Sequence, residues 1–190
     1  KGLSGYKYKR NFMGGSNPAS SGQLDKNSYV ADVFSGRWSA EVNLYEGLKF
    51  TYNLGLDIDN TNQSILHNAF YGQYSSQGGV VQKQSERTSA INNQQLLTYV
   101  HDFGKHNVDL LLGHETYKWK DSGLWGSKNK LYNPGIIEID NAILSPQTGS
   151  SSDEYSTEGW LARAQYSYED KYIASASYRR DASSRFAKGS

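Results

Sequence analysis

The stretch Leu48 to Ile58, LKFTYNLGLDI, decides the fold. Leu48, Phe50, Tyr52, Leu54, Leu56 and Ile58 alternate strictly with Lys49, Thr51, Asn53, Gly55 and Asp57. Successive side chains of a strand leave opposite faces, so this run reads as a β-strand with one apolar and one polar side. Upstream, Trp38, Ala40, Val42 and Leu44 alternate with Arg37, Ser39, Glu41 and Asn43, and Tyr45-Glu46-Gly47 separates the two runs as a hairpin turn. Further along, Ala90 to Asp102 runs through Phe103-Gly104-Lys105-His106 into a strand carrying Val108, Leu110 and Leu112. Its first arm is less regular: Ile91, Leu97 and Tyr99 fall on one phase, Leu96 and Val100 on the other. The third pair is Trp160 to Tyr168 and Tyr172 to Tyr178, joined by Glu169-Asp170-Lys171. Six strands and no helix are expected.

The connections alternate in kind. Inside each hairpin the turn is a few residues, whereas Asp59 to Thr88 and Asp121 to Glu158 are long polar links rich in Asn, Gln, Ser and Gly. A soluble sandwich places turn signals every 8 to 12 residues at both ends. Short turns on one edge and long loops on the other are the arrangement of outer-membrane barrels. A tilted membrane strand needs about 9 to 11 residues, which Leu48 to Ile58 supplies. On the last hairpin, Trp160 and Tyr178 lie at the long-loop end and Tyr168 and Tyr172 flank the tight turn, about 20 Å apart along the membrane normal, as two aromatic girdles would be.

Composition agrees. The 190 residues carry 15 Tyr, 6 Phe and 4 Trp, far too many aromatics for a solvated tail, and the net charge of +1 lacks the excess that disorder requires. The same balance leaves no electrostatic footprint for nucleic acid. No window approaches the ~18 consecutive apolar residues of a membrane helix. Lys1 to Arg10 is basic but runs into Asn11, Gly14 and Gly15 instead of an apolar segment, unlike a signal peptide. Without cysteine there is neither a disulfide framework nor a thiolate zinc site.

The segment Tyr166 to Phe186, YSYEDKYIASASYRRDASSRF, resembles the barrel of SusC/RagA-like TonB-dependent outer-membrane transporters, in which a hairpin leads into an R-x-D-G-S-S-R-F-G signature. Arg179, Arg180, Asp181, Ser183, Ser184, Arg185 and Phe186 match as they stand; Ala182 and Ala187 replace the glycines, so the backbone there is expected to avoid positive φ. Tyr45 to Asp57 and Leu97 to Gly113 are similar to the same family. The resemblance implies an all-β fold, with antiparallel strands forming part of a large transmembrane β-barrel in the outer membrane of a Gram-negative bacterium. It also implies import of oligosaccharides or peptides, a SusD-like surface lipoprotein as a lid, and TonB coupling through segments outside this chain. Such barrels have about 22 strands, so residues 1–190 are expected to be one part of the barrel domain, without the plug domain and TonB-interacting segment. The rival is a soluble all-β carbohydrate-binding module with exposed aromatics.

No enzyme constellation survives inspection, so no catalytic residue, metal or cofactor is expected. Asp57 to Asn62 begins like a calcium loop, but Asn62 stands at the glycine position and Asn68 at the terminal glutamate position. His101, His106 and His114 share a hairpin without a zinc pattern. Two groups remain. The polar strand face carries Arg37, Glu41, Lys49, Asp57, Asp109, Arg163 and Arg179, which in a barrel would point to the lumen while Phe50, Leu54, Leu56, Leu110 and Leu112 meet the lipid bilayer. The loops carry Phe70, Tyr71, Tyr74, Trp125 and Tyr132 among Gly, Ser and Asn, a combination that suits sugar stacking or a protein interface. Leu111, Tyr117 and Trp119 fall on the polar phase, which a bulge or a strand continuing above the bilayer would explain.

Overall fold

A computed structural model describes residues 22–186; Lys1 to Arg10 and Ala187 lie outside the described residues. The chain forms six antiparallel strands: β1 (Lys26–Tyr45), β2 (Leu48–His67), β3 (Val80–Phe103), β4 (His106–Leu131), β5 (Ala142–Tyr168) and β6 (Tyr172–Ser183). They make one sheet in chain order. Short 3₁₀ turns occupy Ser75–Gln77 and Ile139–Asn141.

The expected links are a correction. β2 runs on to His67 and β3 starts at Val80, β4 continues to Leu131 and β5 starts at Ala142, so the connections shrink to residues 68–79 and 132–141. β4 and β5, at 26 and 27 residues, are more than twice the length a bilayer requires. Where neither face has to bury apolar side chains no alternation is imposed, so a strand written in Ser, Gly, Asn and Thr resembles a loop in sequence.

The chain divides into two compact units, and β1 to β5 run through both. One comprises residues 33–58, 88–121 and 153–190 and holds the three tight turns. Gly47 and Gly104 take positive φ of 74° and 69°, and Glu169 and Asp170 do so at 51° and 53° without being glycine. Pairing of β5 with β6 runs from Thr157↔Ser183 to Tyr168↔Tyr172, with Ala162 opposite Tyr178, Ala164 opposite Ala176 and Arg163 opposite Ser177. Ala182 lies within β6 and is not among the residues of positive φ.

The other unit comprises, among the described residues, 22–32, 59–87 and 122–152. Its core is small: Leu66, Val81 and Ala142, packed by Leu131 and Ile137. Buried Asn68 organises the first connection, its backbone N–H and side-chain amide donating to Asp25 Oδ1 (2.9 and 2.6 Å) while its own Oδ1 accepts from Phe70 and Tyr71 N–H. Asn141 ties the second, donating from Nδ2 to the carbonyls of Asn133 (2.6 Å) and Ile136 (2.9 Å).

Candidate functional site

Within the unit that holds the turns, the seven charged residues expected on the polar face stand on one side of the sheet, and each is ion-paired across strands. Arg37 on β1 grips Asp57 on β2 through both guanidinium nitrogens (3.0 and 2.8 Å), and Ser35 Oγ donates to the same carboxylate at 2.6 Å. Lys49 reaches Glu41 at 3.3 Å. Arg163 on β5 meets Asp109 on β4 at 3.3 Å. Arg179 on β6 holds Asp181 and, past β5, Glu115 on β4 at 3.1 Å.

That last contact passes over Gly159. A Cβ there would lie 2.8 Å from Asp181 Oδ1 and 3.2 Å from Arg179 Nη2, so a side chain at this β5 position would push the carboxylate and the guanidinium aside. Glu115 accepts from Gln94 Nε2, and Gln94 Oε1 accepts from Asn53 Nδ2 at 2.8 Å, extending the network to β2. Arg37, Asn53, Asp57, Asn92, Gln94 and Tyr117 line a shallow cleft on this face. Glu115, Gln94 and Gly159 were not singled out from the sequence, and Asp181 was named only within the matched signature, although the phase of Asp109 puts Glu115 on the same face.

Strand β4 keeps its phase. Gln94 meets Glu115, and six residues away on each strand Thr88 meets Asp121 at 2.9 Å, so the pairing does not slip between them. Tyr117 and Trp119 therefore belong to the polar face, where both rings pack on Tyr155 (centroids 5.8 and 5.5 Å). Strand extension, not a bulge, accounts for them.

The opposite face is open. Leu110 and Leu112 are 41% and 49% exposed, Trp38, Val42, Trp160 and Tyr178 are exposed, and Phe50, Leu54 and Leu56 are half-buried. None of these joins the core cluster of the described residues, which lies wholly in the other unit. Towards its far end this face turns polar. Tyr52 donates to Asn93 at 2.8 Å, His114 lies between Gln95 (2.7 Å) and Glu158 (3.0 Å), and the Trp160 indole N–H donates to Glu158 at 3.2 Å. The histidines thus have local work: His114 stacks on Trp160 (4.3 Å), His106 hydrogen-bonds the Tyr166 hydroxyl (2.6 Å), and His101 packs against Phe103. Asp57 to Asn62 is continuous β2 strand.

The five aromatics of the second group all fall in the unit with the connections, but they differ in environment. Tyr74 stacks on His67 with centroids 4.1 Å apart. Trp125 sits on β4 instead of in a loop, and its indole covers Gly149, where a Cβ would come within 2.5 Å of Nε1. Tyr71 is held by Asn68. Phe70 is exposed, and Tyr132 is 87% exposed at the start of the second connection.

No protein-family model matches the chain. It is 26% identical over 160 residues to the TonB-dependent receptor P3 of Formosa agariphila, a match covering 83% of this chain and 16% of that protein. Among solved structures it is similar to the RagAB peptide transporter, with a TM-score of 0.81 at 19% identity over 90% of this chain and 19% of the other. The RagAB peptide importer in its open-open state gives 0.81 at 19% identity, over 92% of this chain and 20% of that one. The chain thus spans about one sixth to one fifth of the proteins it matches. Sequence and fold agree on one relationship: the chain is similar to a stretch of the β-barrel of SusC/RagA-like TonB-dependent transporters.

Proposed function

We propose that the chain is part of the barrel wall of an outer-membrane TonB-dependent transporter that imports oligosaccharides or peptides. The observation that carries this reading is the contrast between the two faces of one sheet. One side exposes Leu110, Leu112, Trp160 and Tyr178 with no core over them, and the other carries cross-strand ion pairs from β1 to β6. Lipid accepts the first and a wet lumen or a plug accepts the second. A soluble carbohydrate-binding module would have to bury the apolar side. The seven lumen residues serve as wall and plug contact in this reading, and all of residues 1–190 belong to the barrel domain. TonB would act through parts of the protein beyond this stretch.

The loop edge is the docking side for a SusD-like surface lipoprotein. Tyr132 and Phe70 are exposed there without a ring partner among the described residues, whereas Trp125, though partly exposed, covers Gly149 and Tyr74 stacks on His67. Cells lacking the whole gene should lose energy-dependent uptake of a labelled oligosaccharide or peptide, and a Phe70→Ala/Tyr132→Ala transporter should assemble yet take up substrate poorly with less co-purified lipoprotein. Normal uptake of both substrates in the deletion strain, or recovery of the protein in the soluble fraction, would contradict the proposal.

A further inference from the structure

On the unit that holds the turns, cations differ by face. Arg37, Lys49, Arg163 and Arg179 on the polar face are each tied to a carboxylate within the sheet. Tyr117 and Trp119 pack on Tyr155 on that side, so Lys118 and Lys120, one residue further along the same strand, leave from the apolar side. Arg180 does likewise, since its register partner is Trp160 while its neighbour Arg179 grips Asp181 and Glu115. All three are exposed, and among the described residues none has a carboxylate within ion-pair distance.

Their positions along the strand are ordered. On the apolar side β4 presents Val108, Leu110 and Leu112, then His114 and Thr116 in the hydrogen-bonded polar row, then Lys118 and Lys120. β6 presents Ala174, Ala176 and Tyr178 and then Arg180, which lies opposite Trp160 and so beside the His114 row. Hydrocarbon, interface and charge follow one another over the distance in which a membrane passes from acyl chains to headgroups. Glu158 and Glu154 share this face, and Glu158, although hydrogen-bonded to His114 and Trp160, keeps its charge and acts on Arg180, so three cations stand against two carboxylates.

We infer that Lys118, Lys120 and Arg180 bind the phosphates of neighbouring anionic outer-leaflet lipids, whose acyl chains lie over Leu110, Leu112 and Tyr178. The inference rests on the lipid-facing reading of this side. At roughly fivefold in affinity per uncompensated cation near a charged headgroup layer, a surplus of one predicts a preference of about fivefold for an anionic over a zwitterionic lipid.

The test uses the whole transporter in mixed micelles carrying either dansyl-labelled phosphatidic acid or dansyl-labelled phosphatidylcholine. Energy transfer from Trp160 is read as the difference from a Trp160→Phe variant. The phosphatidic acid probe should be preferred about fivefold, the preference should collapse in about 1 M salt, where screening acts within about 3 Å, and K118Q/K120Q/R180Q should abolish it. The charge-keeping variant K118R/K120R/R180K should retain it, which separates charge from assembly. Equal transfer from both probes in the parent protein would overturn the headgroup site while leaving the lipid-facing side intact. Transfer from neither would overturn both.

Discussion

Replacing Gly113 by valine tests the side-chain register of the polar face. A Cβ built on Gly113 lies 2.7 Å from Leu161 Cγ and 3.0 Å from both of its methyl carbons, where ordinary carbon contacts need about 3.5 to 4.0 Å. Leu161 would have to retreat by roughly 1 Å, and overpacking of this kind costs about 1–3 kcal/mol. Relief of the glycine's strand penalty returns about 0.5–1 kcal/mol, so the net loss should be about 1–2 kcal/mol. In a Leu161→Ala background the obstructing atoms are gone, and valine should be neutral or stabilising. Urea unfolding of the whole barrel in detergent, followed by tryptophan emission for the parent, both single variants and the double variant, gives the coupling. We expect about 2 kcal/mol of non-additivity; additive effects within about 0.5 kcal/mol would refute the contact of Leu161 with Gly113 and the phase assigned to β4 and β5.

Glu169 and Asp170 hold a positive φ that non-glycine residues adopt at a cost, so E169N/D170G should raise the apparent stability by roughly 1 kcal/mol, and a loss of stability would contradict the turn geometry. Removing the partly exposed pair with D109A/R163A should change stability by about 1 kcal/mol or less, because such pairs contribute little; a larger loss in the same urea titration would mean that the pair holds a neighbouring element. Residues 1–190 expressed alone should associate, since an open sheet with a bare apolar side and two unpaired edges favours it, and a monodisperse monomer with a sharp cooperative melt in detergent-free buffer would count against the barrel reading.

The turn-proximal halves of the hairpins were legible because lipid or a core demands alternation there: Leu48 to Ile58 and Trp160 to Tyr178 show it residue by residue. Beyond that zone the strand is held by backbone pairing and short polar side chains, so Asp121 to Leu131 and Ala142 to Glu158 carried no periodic signal and passed for loop. The seven charges were visible by phase, but their partners were not, because Arg179 reaches Glu115 across an intervening strand. The signal was Gly159, together with Gly113, as isolated glycines inside strand patterns, which mark close approach. Of the aromatics, sequence could not separate Tyr132, bare in solvent, from Trp125, covering Gly149, since both sit among Gly, Asn and Lys.

The central claim is that one side of this sheet faces lipid and the other does not. Single spin labels at each position from Asn107 to Lys118, introduced into the whole transporter in bilayers through cysteines that this stretch naturally lacks, report collision with oxygen and with a water-soluble nickel chelate. The account predicts a period of two, with high oxygen and low nickel access at positions 108, 110 and 112, the reverse at 109 and 111, and rising nickel access at 116 and 118. Nickel access at 110 and 112 equal to that at 109, or no alternation at all, would contradict it.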